Sequence, residues 1–220
     1  MVSRSEAWWR LRLLADSPKA PGSLFRAVLS NDGADAAYAL YRVKSQWEGG
    51  SFANEVDVVE AVGSSAQATR EIWRYLFALD LVAVLRAGRL PVDHPLALML
   101  QEPRRMRLAL GDALWCRILD AEAALAGRAL GKGSVVLELA DDFLPGNTGR
   151  WRIGEGGATR TEEEPDLALA VAELGSVYLG GFTFGELVRA GQVRELRPGG
   201  AARGDEVLYA ARAPWCPEIF

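Results

Sequence analysis

Apolar and polar residues alternate along the first third of the chain, and then the period changes. In "ANEVDVVEAVG" (53–63) Val56 and Val58 fall on one face and Asp57 and Val59 on the other, as in a half-buried strand. "SLFRAVLSND" (23–32) and "AAYALYRVKSQWEGG" (36–50) read as two further strands, with Asn31-Asp32-Gly33 supplying the turn between them. Ahead of them, "SEAWWRLRLLADS" (5–17) has helical spacing and stops before Pro18. Beyond residue 63, Ser64 and Gln67 fit a capping box, and Ile72, Trp73, Leu76, Phe77 and Leu79 follow at helical spacing. A short strand, "LVAVLRAG" (81–88), precedes a loop marked by Pro91, His94 and Pro95, then a short helix, "PLALML" (95–100). "RMRLALGDALWCRILD" (105–120) reads as strand material broken near Gly111.

The second half repeats the mixture. "AEAALAGRAL" (121–130) predicts a helix, "SVVLELADD" (134–142) a strand, and "RWRIG" (150–154) with "GATRT" (157–161) a short meander. "EEEPDLALAVAELGSVYLGG" (162–181) holds a strand and then a helix, and "TFGELVRAGQV" (183–193) a second helix. Strands and helices mix without regular βαβ alternation, so the fold class is α+β.

Composition narrows the picture. At 220 residues and half hydrophobic, the chain is long enough for a sizeable core. A formal net charge of -4 gives no basic surplus for nucleic acid. The longest apolar run, "YLFALDLVAVL" (75–85), is too short to span a membrane and contains Asp80. The N-terminus has no secretory h-region, and two cysteines 100 positions apart read as buried thiols of a cytoplasmic protein.

Three strings look like chemistry and are not. "GRALGKG" (127–133) contains R-x-x-G-x-G, the core of a pyrophosphate loop, but it follows a predicted helix and leads into a strand. A phosphate loop must do the reverse, so that free N–H groups at a helix start meet the anion. His94 is the only histidine, and one His with two distant Cys does not make a zinc site, so no metal is expected. "TEEEPD" (161–166) reads as a solvated turn. Trp8 and Trp9 stand apart: adjacent indoles on one helix cannot both face the same core direction, so one is core and the other lines a pocket or interface.

The chain ends in "APWCPEIF" (213–220). Chain ends usually fray. Here Trp215, Cys216, Ile219 and Phe220 are apolar, and Pro214 and Pro217 restrict the backbone before folding.

"AAYALYRVKSQW", "VVEAVGSSAQATREIWRYLFALDLV", "DALWCRILDAEAALAGRAL" and the final "APWCPEIF", in that order, resemble the Eis (enhanced intracellular survival) group of GNAT-related N-acetyltransferases. The resemblance runs from about Trp8 to Phe220. It implies a central GNAT-like domain over residues 1–110, lacking its usual opening strand and helix, and a sterol carrier protein-like domain over 111–220. It also implies that the domain binding acetyl-CoA is absent from this chain. The chain alone would then hold no cofactor and be inactive by itself, its partners being an N-terminal GNAT domain and further copies in a hexamer.

The resemblance gives the stiff end a role. In such enzymes the C-terminal carboxylate, here that of Phe220, acts as general base toward an amine of the aminoglycoside, lysine or polyamine type. Ile219 and Phe220 wall the amine pocket, Trp8 or Trp9 matches a pocket tryptophan, and Glu218 stands in for an acidic residue that some members carry where this chain has Ile219. The alternative is a stand-alone sterol carrier-like module, with "LALAVAELGSVYLGGFTF" (167–184) lining a tunnel for an apolar ligand.

Overall fold

The computed structural model describes residues 3–15 and 22–218. The chain divides into two compact units, Met1–Ala113 with Trp215–Phe220, and Leu114–Pro214. The sequence predicts one domain over 111–220; in the structure residues 215–218 group with the first unit, where Arg4, Trp8 and Arg89 bond to them.

The first unit opens with a helical turn, α1 (Glu6–Trp8), which widens into a π-helical turn over Trp9–Leu13. The Ser5 side chain caps it by accepting the Trp8 N–H. β1 (Ser23–Asn31) and β2 (Ala34–Lys44) form the predicted hairpin. Asp32 and Gly33 both take positive φ, 49° and 82°, which matches the twist of a two-strand ribbon. A small ribbon of β3 (Trp47–Glu48) and β4 (Ser51–Phe52) leads to β5 (Asn54–Gly63). α2 (Ala66–Phe77) then carries the chain to β6 (Val82–Ala87), parallel to β5, giving the order β1-β2-β5-β6. The short helix α3 (Leu96–Met99) follows.

This sheet uses both faces. Ala37, Ala39, Tyr41, Val56, Val58 and Ala61 pack against Ala68, Ile72, Trp73 and Leu76 of α2. The opposite face carries Tyr38, Leu40 and Glu60. Strict alternation would put Glu60 beside Val56 and Val58, in the core. The ladder instead pairs Tyr41 with Val58 and Leu40 with Glu60, leaving Val59 as an extra residue. This β-bulge turns Glu60 to the other face.

The second unit runs α4 (Ala121–Ala126), β7 (Ser134–Ala140), β8 (Gly149–Gly154), β9 (Gly157–Arg160), β10 (Leu167–Ala170), α5 (Val171–Tyr178), α6 (Phe184–Arg189), β11 (Arg194–Glu195) and α7 (Gly200–Val207). Its sheet has the order β11-β10-β7-β8-β9, with β7 and β10 parallel. Leu125, Leu137, Ile153, Leu167, Leu174 and Phe184 are fully buried between that sheet and its helices.

Several expectations need correction. Residues 107–119 form no strand: Leu108 and Leu110 alternate but are 74% and 89% exposed and pair with nothing regular. Ser65, not Ser64, caps α2, accepting the Ala68 N–H at 3.1 Å. Cys116 is exposed rather than buried, and both thiols are free. Leu167, Leu169, Leu174, Val177 and Phe184, read as possible tunnel lining, are buried core. Among the described residues no helix is long and apolar enough to cross a membrane.

Candidate active site

The second face of the first sheet gathers Trp8, Trp9 and Glu218, three of the residues that the sequence singled out. Arg4 is the hub, with a side chain only 4% exposed. Its Nη1 and Nη2 donate to the two carboxylate oxygens of Glu60 at 2.8 and 2.6 Å, a bidentate pair, and its Nε donates to Glu218 Oε1 at 2.5 Å. The second oxygen of Glu218 accepts Trp8 Nε1–H at 2.9 Å. The Tyr38 hydroxyl donates to Glu60. Trp9 lies under the Arg4 guanidinium, 4.9 Å from Cζ to the ring centroid, and meets Tyr38 edge-on. Both tryptophans therefore surround one arginine. Both are half-buried, which replaces the expected division into one core residue and one pocket residue.

One guanidinium thus serves two carboxyl groups within a buried network. Hydrogen bonding to Glu60 raises the Arg4 guanidinium above its ordinary value against the opposing effect of burial, and Glu218 adds to the rise. Burial, reinforced by the hydrogen bond to Glu60, raises the Tyr38 phenol, so it remains a donor.

A second clasp holds the same segment. Arg89 Nη1 donates to the Pro217 carbonyl at 2.7 Å, and the Arg89 carbonyl accepts Trp215 Nε1–H at 2.6 Å. Arg89 takes φ 57°, a left-handed conformation that is uncommon outside glycine and shows a backbone held by its surroundings. Residues 215–218 are therefore tied at three points. Ile219 and Phe220 lie outside the described residues.

Sequence reasoning named Trp8, Trp9 and Glu218 and missed Arg4, Tyr38, Glu60 and Arg89. A signal existed for Glu60: a carboxylate at a position that strict alternation assigns to the core.

The remaining candidates behave as structural parts. "GRALGKG" follows α4 and leads into β7, and the Gly127 N–H closes the helix on the Ala123 carbonyl. His94 Nδ1 accepts the Leu96 N–H within its loop, and burial lowers its pKa. Glu162, Glu163 and Glu164 are exposed, while Asp166 is buried and binds Val136 N–H and Arg203. A groove of about 730 Å³ on the second unit is lined in part by Glu138 and Arg150, which pair at 4.0 Å. It offers no group comparable to the Arg4 network.

The family model for an acetyltransferase (GNAT) domain matches residues 1–118, and that for a sterol carrier protein domain matches residues 121–217. N-acetyltransferase Eis of Mycobacterium tuberculosis is 32% identical over 87% of this chain and 46% of its own length. The crystal structure of Eis1 from Mycobacterium abscessus superposes with a TM-score of 0.81 at 35% identity, over 97% of this chain and 54% of that one. The chain belongs to the Eis-like GNAT acetyltransferases. An uncharacterized N-acetyltransferase of Streptomyces avermitilis is 37% identical over all of this Eis-like chain and 56% of its own length. The chain spans about half the length of the curated relatives it matches.

The GNAT match corrects one expectation: a GNAT domain lies within this chain, so the idea that the GNAT domain using acetyl-CoA is absent does not hold. In this Eis-like chain the β5–α2 junction has the topology of a phosphate site, a strand feeding a helix. Several of its N–H groups are already used within the chain. The Ser64 N–H is taken by the Ala36 carbonyl, that of Ala68 by Ser65 Oγ, and that of Thr69 by the Ser65 carbonyl. A Cβ on Gly63 would stand 2.4 Å from the Thr69 nitrogen, so this glycine serves close packing against α2 and not an open cradle.

Proposed function

We propose that this chain is part of an N-acetyltransferase acting on an amine of the aminoglycoside, lysine or polyamine type, and that its last residues supply the amine side of the site. In this reading the terminal carboxylate of Phe220 takes a proton from the substrate ammonium. An alkylamine carries that proton at neutral pH and cannot attack until it is removed. In the same reading Ile219 and Phe220 wall the pocket, and Trp8 or Trp9 is its tryptophan.

The observation that carries the reading is the clasp on residues 215–218 by Arg4, Trp8 and Arg89. A base must stand within about 2.6–3.2 Å of the nitrogen whose proton it abstracts. A free chain end would have to be ordered at every encounter, at about 1–2 kcal/mol per residue. Anchoring the preceding four residues removes most of that cost in advance. The local chemistry agrees: two carboxyl groups share one guanidinium, and guanidinium groups already stand over the rings of Trp8 and Trp9.

The test is acetyl transfer by the intact protein to kanamycin, a lysine peptide and spermidine, read as CoA thiol release. Amine-dependent release above the no-amine rate supports the reading; no dependence on any of the three amines contradicts it. The hexamer is a further proposal from the same resemblance, and light scattering of the purified protein checks it.

A further inference from the structure

We propose that Arg4 and Glu60 are positioning residues that fix the chain's terminal carboxylate through Glu218; this rests on the reading of Phe220 as the base. The three groups form one line. The bulge at Val59 delivers Glu60 to the second face of the sheet, and Tyr38 donates to it from the neighbouring strand. Glu60 holds both terminal nitrogens of Arg4, which fixes the plane of the guanidinium and leaves Nε directed at Glu218. Trp8 takes the other oxygen of Glu218.

All four carboxylate oxygens in this line accept a hydrogen bond, and the carboxyl side chains of Glu60 and Glu218 are 2% and 9% exposed. Glu218 is thereby a tether: its oxygens are engaged by the chain's own donors. Two residues separate it from the terminus, a reach of at most about 7 Å. Glu218 is the last described residue, and both of its carboxylate oxygens are gripped by side chains.

The design of the test follows from charge balance. Replacing Arg4 leaves two buried carboxyls without their cation and risks unfolding the unit. Glu218→Ala removes the tether and leaves Arg4 and Glu60 as a matched pair. Glu60→Gln keeps an acceptor for one Arg4 nitrogen and for Tyr38 while loosening the guanidinium.

In the intact protein, carboxypeptidase A release of Phe220 and then Ile219 reads the tether without any reference to acetylation. Glu218→Ala is expected to speed release about tenfold or more, and Glu60→Gln less. In the acetyl transfer assay both should lower kcat, by about 10- to 100-fold for Glu218→Ala, with KM changed far less. Faster release with unchanged kcat supports the tether and overturns Phe220 as the base. Release at the unaltered rate in both variants overturns the positioning role, whatever the activity.

Discussion

Arg4 and Glu218 are 214 positions apart in the chain and 2.5 Å apart in the fold. That single bond joins the beginning of the chain to its end, within a unit whose other residues stop at Ala113. Together with the bonds of Arg89 to Trp215 and Pro217, it holds residues 215–218 to the first unit.

Removing Arg4 should be costly. Its side chain is 4% exposed and serves two carboxyls that are almost fully buried. Arg4→Met is expected to destabilise the first unit by about 3–5 kcal/mol, the range for stranding a buried charge. Glu218→Ala, which leaves a balanced pair, should cost less than half as much. Urea denaturation of the two variants checks the order; equal costs would contradict the shared-guanidinium account.

The second unit has a close contact between its last two helices. A Cβ on Gly204 in α7 would stand 2.5 Å from Cδ2 and 2.9 Å from Cε2 of Phe184, a side chain with no exposure. Gly204→Ala is therefore expected to destabilise this unit by about 1–3 kcal/mol despite the better helix propensity of alanine. A thermal unfolding comparison checks it, and a gain in stability would show that Phe184 has room to move.

Acid should act on the second unit through Asp141. Hydrogen bonds from Asn147 first, then from the Leu144 and Phe143 amides and Arg117, hold its pKa down at about 2 against an ordinary 3.8. The folded value is the lower one, so the unfolded chain binds the proton more readily. The stabilisation is complete above about pH 4 and is lost as the pH falls toward 2. Asp141→Asn cannot titrate and should flatten the pH dependence of unfolding in that window; an unchanged slope would assign acid sensitivity elsewhere.

Much of this architecture was legible because local signals agreed with the tertiary fold. Asn31-Asp32-Gly33 marked its hairpin, and Ile72, Trp73 and Leu76 marked the buried stripe of α2. The failures have physical causes. Leu108 and Leu110 alternate as a strand does, but periodicity cannot report whether a partner strand is available. Helix α7 was hidden by Gly200 and Gly204, which lower helix propensity and are small because Asp166 and Phe184 lie against them. At the site, Trp8 stood out as one of two adjacent indoles, and Glu218 entered through the family resemblance. Glu60 showed only as a carboxylate at a core position of its strand; the bulge that redirects it is a property of pairing between strands, which a single strand's pattern does not contain.

The most direct test of the account adds one glycine after Phe220 in the intact protein. The added residue leaves Glu218 and its clasp intact and moves the carboxylate by about 3.5 Å. The account predicts unchanged stability and a fall in kcat for amine acetylation of about 100-fold or more, the range for losing a general base. Acetylation at the unaltered rate would contradict it.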